Sequence, residues 1–193
     1  MESSTVIKPE HGTGQKEFIF TQEHEDLRAS MEDWVKKELH PHRNEWEDTK
    51  WPDSAIQRAG ELGYLGLCFP EEYGGQGGDY YYSLVRAEAL SYAGSGGLGM
   101  GFAVQTDMVL PPVHLLGTEE QKQKYLVPGI QGTKIGALGI TEPGAGSDVA
   151  GIRTRAVAAP GGYKITGSKI WCTGAAYADI IVVAAKTDVG GKE

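Results

Sequence analysis

A change of pattern at Lys134 constrains this chain more than any other feature. Before it, apolar residues recur at helical spacing; after it, they come in short β-branched runs parted by Gly and Pro. Leu27, Met31, Trp34, Val35 and Leu39 form one stripe of an α-helix that is expected to stop at Pro41. Asp53 or Ser54 is expected to cap a second helix through Ile56, Ala59 and Leu62, with Gly63 as its stop. Asp79 caps a third, on which Leu84, Val85, Glu88, Ala89 and Tyr92 share a face before Gly94. A fourth runs from Phe102 to Leu110, where Pro111 and Pro112 force a break or kink. "TEEQ", Thr118 to Gln121, is a capping box opening a fifth helix that Pro128 ends. Beyond Lys134, "KIGALGIT", "SKIWCT" and "DIIVVAAKT" read as strands, and "RTRAVAAPGGYKIT" as two strands around a Pro-Gly-Gly turn. The pattern predicts an α+β chain: a tail over 1–17, an α-helical bundle over 18–132, and part of a β-barrel or sandwich over 133–193.

Charge follows the same division. Residues 1–133 hold 21 acidic and 11 basic residues, whereas residues 134–193 hold 5 and 7. The acidity argues against nucleic acid as a partner, and the basic end suits an anionic ligand. Two cysteines, Cys68 and Cys172, provide neither a disulfide framework nor a metal cluster and are expected to be buried thiols. No apolar stretch approaches a membrane span, and "MESSTVIKPEHGTGQKE" has no apolar signal region, so a cytoplasmic location is expected. His40, Pro41 and His42 lack companions for a metal site and read as a surface turn.

The stretch with most chemical content is "ITEPGAGSDVAG", Ile140 to Gly151. Glycines let backbone N–H groups approach an anion, yet the spacing is neither the dinucleotide fingerprint nor a P-loop. By its position it is expected to form a hairpin-like turn. "GSGGLG", Gly94 to Gly99, does match G-x-G-x-x-G, but a helix precedes it and no strand does, so it reads as a helix stop and flexible connection. In "GSKIWCTG", strand periodicity would place Trp171 and Thr173 on one face, a ring beside a hydroxyl suited to a flat ligand with a polar edge.

Four motifs in order, "PEEYGGQGG", "GTEEQKQKYL", "LGITEPGAGSDVAGIRTRA" and "GGYKITGSKIWCTG", resemble the acyl-CoA dehydrogenase family. "HPHRNEWE" is nearer its long-chain members. The resemblance implies an N-terminal helical domain, a middle β-domain and a C-terminal helical domain, the last absent from this chain. It implies FAD, with Leu138, Ile140, Thr141, Gly146, Ser147, Trp171 and Thr173 contacting it. Ser147 would also lie near the CoA portion, and Gln105, Thr106 and Val109 would line the acyl cavity. The implied reaction is α,β-dehydrogenation of acyl-CoA to trans-2-enoyl-CoA, with electron-transfer flavoprotein as acceptor and a homotetramer at full length. The family's catalytic Glu belongs to the C-terminal domain, so no catalytic residue is assigned here, and Glu142 has no claim to that role. Readings kept open beside it are an oxidase or flavin monooxygenase of the same fold, and a non-catalytic half-protein that completes a partner's site.

Overall fold

The computed structural model describes residues 19–48 and 52–187, so the expected tail over 1–17 lies outside the described residues. A helical domain comes first and part of a β-sheet domain follows. Helix α1, Gln22–Trp34, continues through a wide π-turn, Val35–Leu39, into a tight turn, His40–His42, before α2, Arg43–Asp48. The expected stripe is the buried one at Met31, Trp34, Val35 and Leu39. Pro41 does not end the path; it redirects it, seated in the first turn of the tight segment where its missing N–H costs nothing.

Helix α3, Asp53–Glu61, buries Ala55, Ile56 and Ala59, but Leu62 is exposed and neither Asp53 nor Ser54 caps it; Pro52 occupies that position without a side-chain bond. Gly63 stops it at φ +79°. Gly60 lets the helix press on the 131–132 turn, for a Cβ there would lie 2.1 Å from the Gln131 carbonyl oxygen. Asp79 caps α4, Tyr80–Ser91, through the Tyr81 N–H at 2.8 Å. The face of α4 turned inward carries Ser83, Val85, Arg86, Ala89 and Leu90; Leu84 and Tyr92 are exposed, contrary to the expected face.

Helix α5, Gly96–Ala103, is capped by the Ser95 hydroxyl on the Leu98 N–H at 3.1 Å. The glycines from Gly96 are therefore helix, not flexible connection, and only Gly94, at φ +74°, makes the turn. From Ala103 the helical path passes through a π-turn, Val104–Val109, into α6, Leu110–Leu116, with Pro111 and Pro112 in its first turn. The prolines do not break the helix because the preceding wide turn asks no i→i−4 donation of them. The same device recurs downstream. The Thr118 capping box opens α7, Glu119–Gln121, a π-turn follows at Lys122–Leu126, and Pro128 sits inside α8, Val127–Ile130, instead of ending the helix before it.

Phe102, Met31, Leu65 and Trp34 centre one apolar core, with Trp34 edge-on to Phe102 at 6.0 Å. Phe69, Tyr73, Leu110, Leu126 and Ile130 make a second.

Strand β1, Gly136–Gly139, pairs in parallel with β4, Ile180–Val183. Strands β2, Arg155–Ala159, and β3, Gly162–Thr166, form the expected hairpin, turning at Gly161 with φ +81°, and β5, Lys186–Thr187, adds in parallel to β2. "SKIWCT" is no strand: residues 167–179 cross the sheet as irregular chain and turn. The 140–151 loop makes the expected hairpin-like turn as a short antiparallel bridge between Glu142 and Ala145, but it does not join paired strands, because β1 pairs with β4 and not with β2. Cys68 is exposed and Cys172 half-buried, so neither is the buried thiol expected.

Candidate functional site

The site grows from the end of β1. Glu142 and Ala145 exchange backbone hydrogen bonds at 2.9 and 3.1 Å, closing a tight turn over Pro143 and Gly144. A side chain added at Gly144 or Gly146 would meet nothing within 4 Å, so this backbone faces open space. Gly146 and Ser147 are exposed, Leu138, Ile140 and Thr141 half-buried.

Beneath the turn, three segments converge on one carboxylate. Glu142 is 7% exposed. Its Oε1 accepts from Lys169 Nζ at 2.7 Å, from the Thr154 N–H at 2.9 Å and from the Thr154 hydroxyl at 2.6 Å; its Oε2 accepts from the Arg153 N–H at 2.6 Å. Lys169 Nζ also donates to the Ile140 carbonyl at 2.8 Å. The Lys169 ammonium, then the Thr154 hydroxyl and the Arg153 N–H, hold the Glu142 carboxyl far below the ordinary glutamate range, against the opposing effect of burial. A carboxylate so held stays ionised, and it is no proton acceptor for a ligand. Gly167 permits the convergence, since a Cβ there would lie 2.2 Å from the Thr154 hydroxyl oxygen.

The Ile170 N–H donates to the Thr141 carbonyl at 2.9 Å, docking the 167–173 segment alongside the loop. Trp171 follows with φ +58°, a backbone region a bulky residue rarely adopts, and its ring is 85% exposed. Strand alternation therefore does not pair Trp171 with Thr173. Thr173 instead lies half-buried in the first of a run of turns that Gly174 continues at φ +73°. The carbonyls of Ile140 and Thr141 each accept one bond from the 169–170 segment, the first from Lys169 and the second from the Ile170 N–H.

Gln105, Thr106 and Val109 lie apart from this group, in the π-turn, each no more than 3% exposed. The Gln105 amide donates to the Gly129 and Lys134 carbonyls, both at 3.0 Å, and accepts from the Gly136 N–H at 2.7 Å, which joins the helical domain to β1. Thr106 donates to the Phe102 carbonyl at 2.9 Å. Asp107 and Met108 are the exposed side chains of this turn. Sequence reasoning missed the parts played by Lys169 and Thr154, because the contacts span 12 to 27 residues and leave no local signature. Among the described residues no group of His, Cys, Asp and Glu is placed to hold a metal ion, and no helix is long and apolar enough to cross a membrane.

Residues 21–133 match the acyl-CoA dehydrogenase N-terminal domain, and residues 137–193 match the acyl-CoA dehydrogenase middle domain. A Bacillus subtilis protein named "Probable acyl-CoA dehydrogenase YngJ" is 40% identical over 171 residues, covering 88% of this chain and 45% of its own length. A chain in the structure of the electron transferring flavoprotein of Acidaminococcus fermentans superposes with a TM-score of 0.83 at 38% identity, covering 90% of this chain and 46% of its own. The Bacillus anthracis acyl-CoA dehydrogenase complexed with FAD superposes with a TM-score of 0.83 at 37% identity, covering 90% of this chain and 30% of its own. The chain thus spans less than half the length of these relatives. With both domain types matched in order and both kinds of likeness agreeing, this chain belongs to the acyl-CoA dehydrogenase family.

Proposed function

We propose that this chain supplies the helical domain (18–132) and part of the β-domain (133–193) of an FAD-dependent enzyme that converts acyl-CoA to trans-2-enoyl-CoA. The observation that carries the reading is Trp171, an 85% exposed ring held at φ +58° beside an open glycine turn. A ring of that size displayed to solvent suits the face of a flat aromatic ligand. The glycine turn next to it suits an anionic linker, which backbone N–H groups can approach where no Cβ intervenes. These features fit FAD, and the Bacillus anthracis relative is complexed with FAD. FAD, when bound, supplies the two-electron acceptor of the reaction.

The chain's own groups bind and orient. Leu138, Ile140 and Thr141 would flank the ring system, Gly146 and Ser147 would approach the pyrophosphate, and Trp171 and Thr173 would pack along the ring and hydrogen-bond its edge. Ser147 also faces the CoA portion. Gln105, Thr106 and Val109, all in the π-turn, would line the acyl cavity, with Gln105 and Thr106 held in place by their bonds to Gly129, Lys134, Gly136 and Phe102. The base that removes the α-proton lies outside this chain. Glu142 does not serve, since its carboxylate is committed to Lys169, Thr154 and Arg153 and resists protonation. Electron-transfer flavoprotein then takes the electrons, and the whole protein is a homotetramer.

The test is flavin content and turnover of the protein at full coding length. FAD-bearing protein that dehydrogenates an acyl-CoA series supports the reading. Protein that neither carries nor takes up FAD refutes it. Thr173→Ala is expected to weaken the flavin complex by about 1 kcal/mol, one neutral hydrogen bond.

A further inference from the structure

Lys169 touches two things at once, and neither is a ligand. Its Nζ is 2.8 Å from the Ile140 carbonyl oxygen and 2.7 Å from Glu142 Oε1, and its side chain is 11% exposed. Burying an ammonium and a carboxylate is costly unless the pair is well aligned and further hydrogen-bonded. Here Glu142 collects two backbone N–H groups and a hydroxyl besides the ammonium, so the pair is fully compensated. Such a network fixes the mutual placement of its segments more than it adds stability. The segments are 140–142, which begins the glycine turn, 153–154, which leads into β2, and 167–170, which delivers Trp171. Two residues beyond Lys169, the Trp171 ring stands in solvent with few contacts of its own to hold it, at a backbone angle that needs external support.

We infer that Lys169, braced by Glu142 and Thr154, is a positioning residue: it sets the distance and angle between the Ile140–Thr141 backbone and the Trp171 ring, the two edges of the flavin site. This rests on the function proposed above. Lys169 does not touch the flavin in this assignment. It acts through the Ile140 carbonyl on one side and the chain leading to Trp171 on the other. Without the ammonium, Glu142 keeps only its Thr154 and Arg153 donors, and the link from its carboxylate to the Ile140 carbonyl is lost.

The experiment uses the protein at full coding length, stripped of flavin and titrated with FAD. Lys169→Met keeps the length and removes the charge; Glu142→Gln keeps the shape and removes the countercharge, and serves where the first variant does not fold. Both are expected to weaken FAD binding about tenfold or more, the effect of losing one charge-assisted hydrogen bond. Both should also shift the visible spectrum of the bound flavin and the emission of Trp171, and Lys169→Arg should recover part of each. A purely stabilising role would lower Tm and leave affinity and spectrum, measured well below Tm, at the values of the unaltered protein. That result overturns the inference while the function stands. Unaltered protein that binds no FAD overturns the function, and this inference with it.

Discussion

Replacing Gln105 with Leu tests whether the two domains are joined as described. The side chain is 2% exposed, and Leu fills nearly the same space without its polar atoms. Three hydrogen bonds disappear, but their consequences differ. The Gly129 carbonyl still accepts from the Gly132 N–H at 3.2 Å. The Gly136 N–H, inside the protein, loses its acceptor at 2.7 Å. The Lys134 carbonyl loses its donor at 3.0 Å, although Lys134 is half-buried and water replaces part of that bond. A buried group deprived of its partner costs about 1–3 kcal/mol, so one full loss and one softened loss come to about 2–4 kcal/mol. For a chain of this size that lowers Tm by about 4–16 °C. Thermal unfolding followed by circular dichroism reads this directly, with KM for an acyl-CoA measured alongside. A Tm within about 2 °C of the unaltered protein, below what any buried orphan costs, with a changed KM, would refute the reasoning. It would mean that the Gln105 bonds do not join the domains.

Three further outcomes follow from the same geometry. Phe102→Ala removes the centre of the main core, where Phe102 is 1% exposed, and should destabilise by about 3–5 kcal/mol in denaturant unfolding. Gly60→Ala puts a methyl 2.1 Å from the Gln131 carbonyl oxygen and should cost about 2 kcal/mol or more in the same measurement, because backbone and not a flexible side chain must yield. Acid unfolding should depend on Glu142. Its carboxyl is held below the ordinary range, so it contributes stability that is complete above that range and is lost as pH falls below it. Glu142→Gln should therefore flatten the stability curve below about pH 4.5, and an unchanged slope there would contradict the assignment of its partners.

What the sequence made legible was local. The Asp79 cap and the Thr118 capping box each rest on residues within three positions of one another, and both form as the pattern predicts. Pro111 and Pro128 follow π-turns set by tertiary packing, Gln105 pinned to β1 and Leu126 buried in the second core, so neither breaks the helical path as local pattern suggests. "SKIWCT" has strand propensity, yet side-chain bonds from Lys169 and a backbone bond to Thr141 hold it as a crossing segment. The inward face of α4 was misplaced for a related reason. Arg86 is buried and paired with Asp107 at 2.7 Å, and Leu84 and Tyr92 turn outward. The carboxylate network under the glycine turn had no signature beyond Gly167, whose meaning depends on Thr154 lying opposite.

The central claim is that Trp171 and the turn starting at Ile140 are the two edges of a flavin site. Tryptophan emission during FAD titration of the flavin-free, full-length protein tests it most directly, comparing the unaltered protein with Trp171→Phe. The account predicts saturable quenching in the unaltered protein and a clear loss of it in Trp171→Phe, because Trp34 and Trp46 pack in the helical core, away from this site. Equal quenching in both proteins would place the flavin elsewhere and contradict the account.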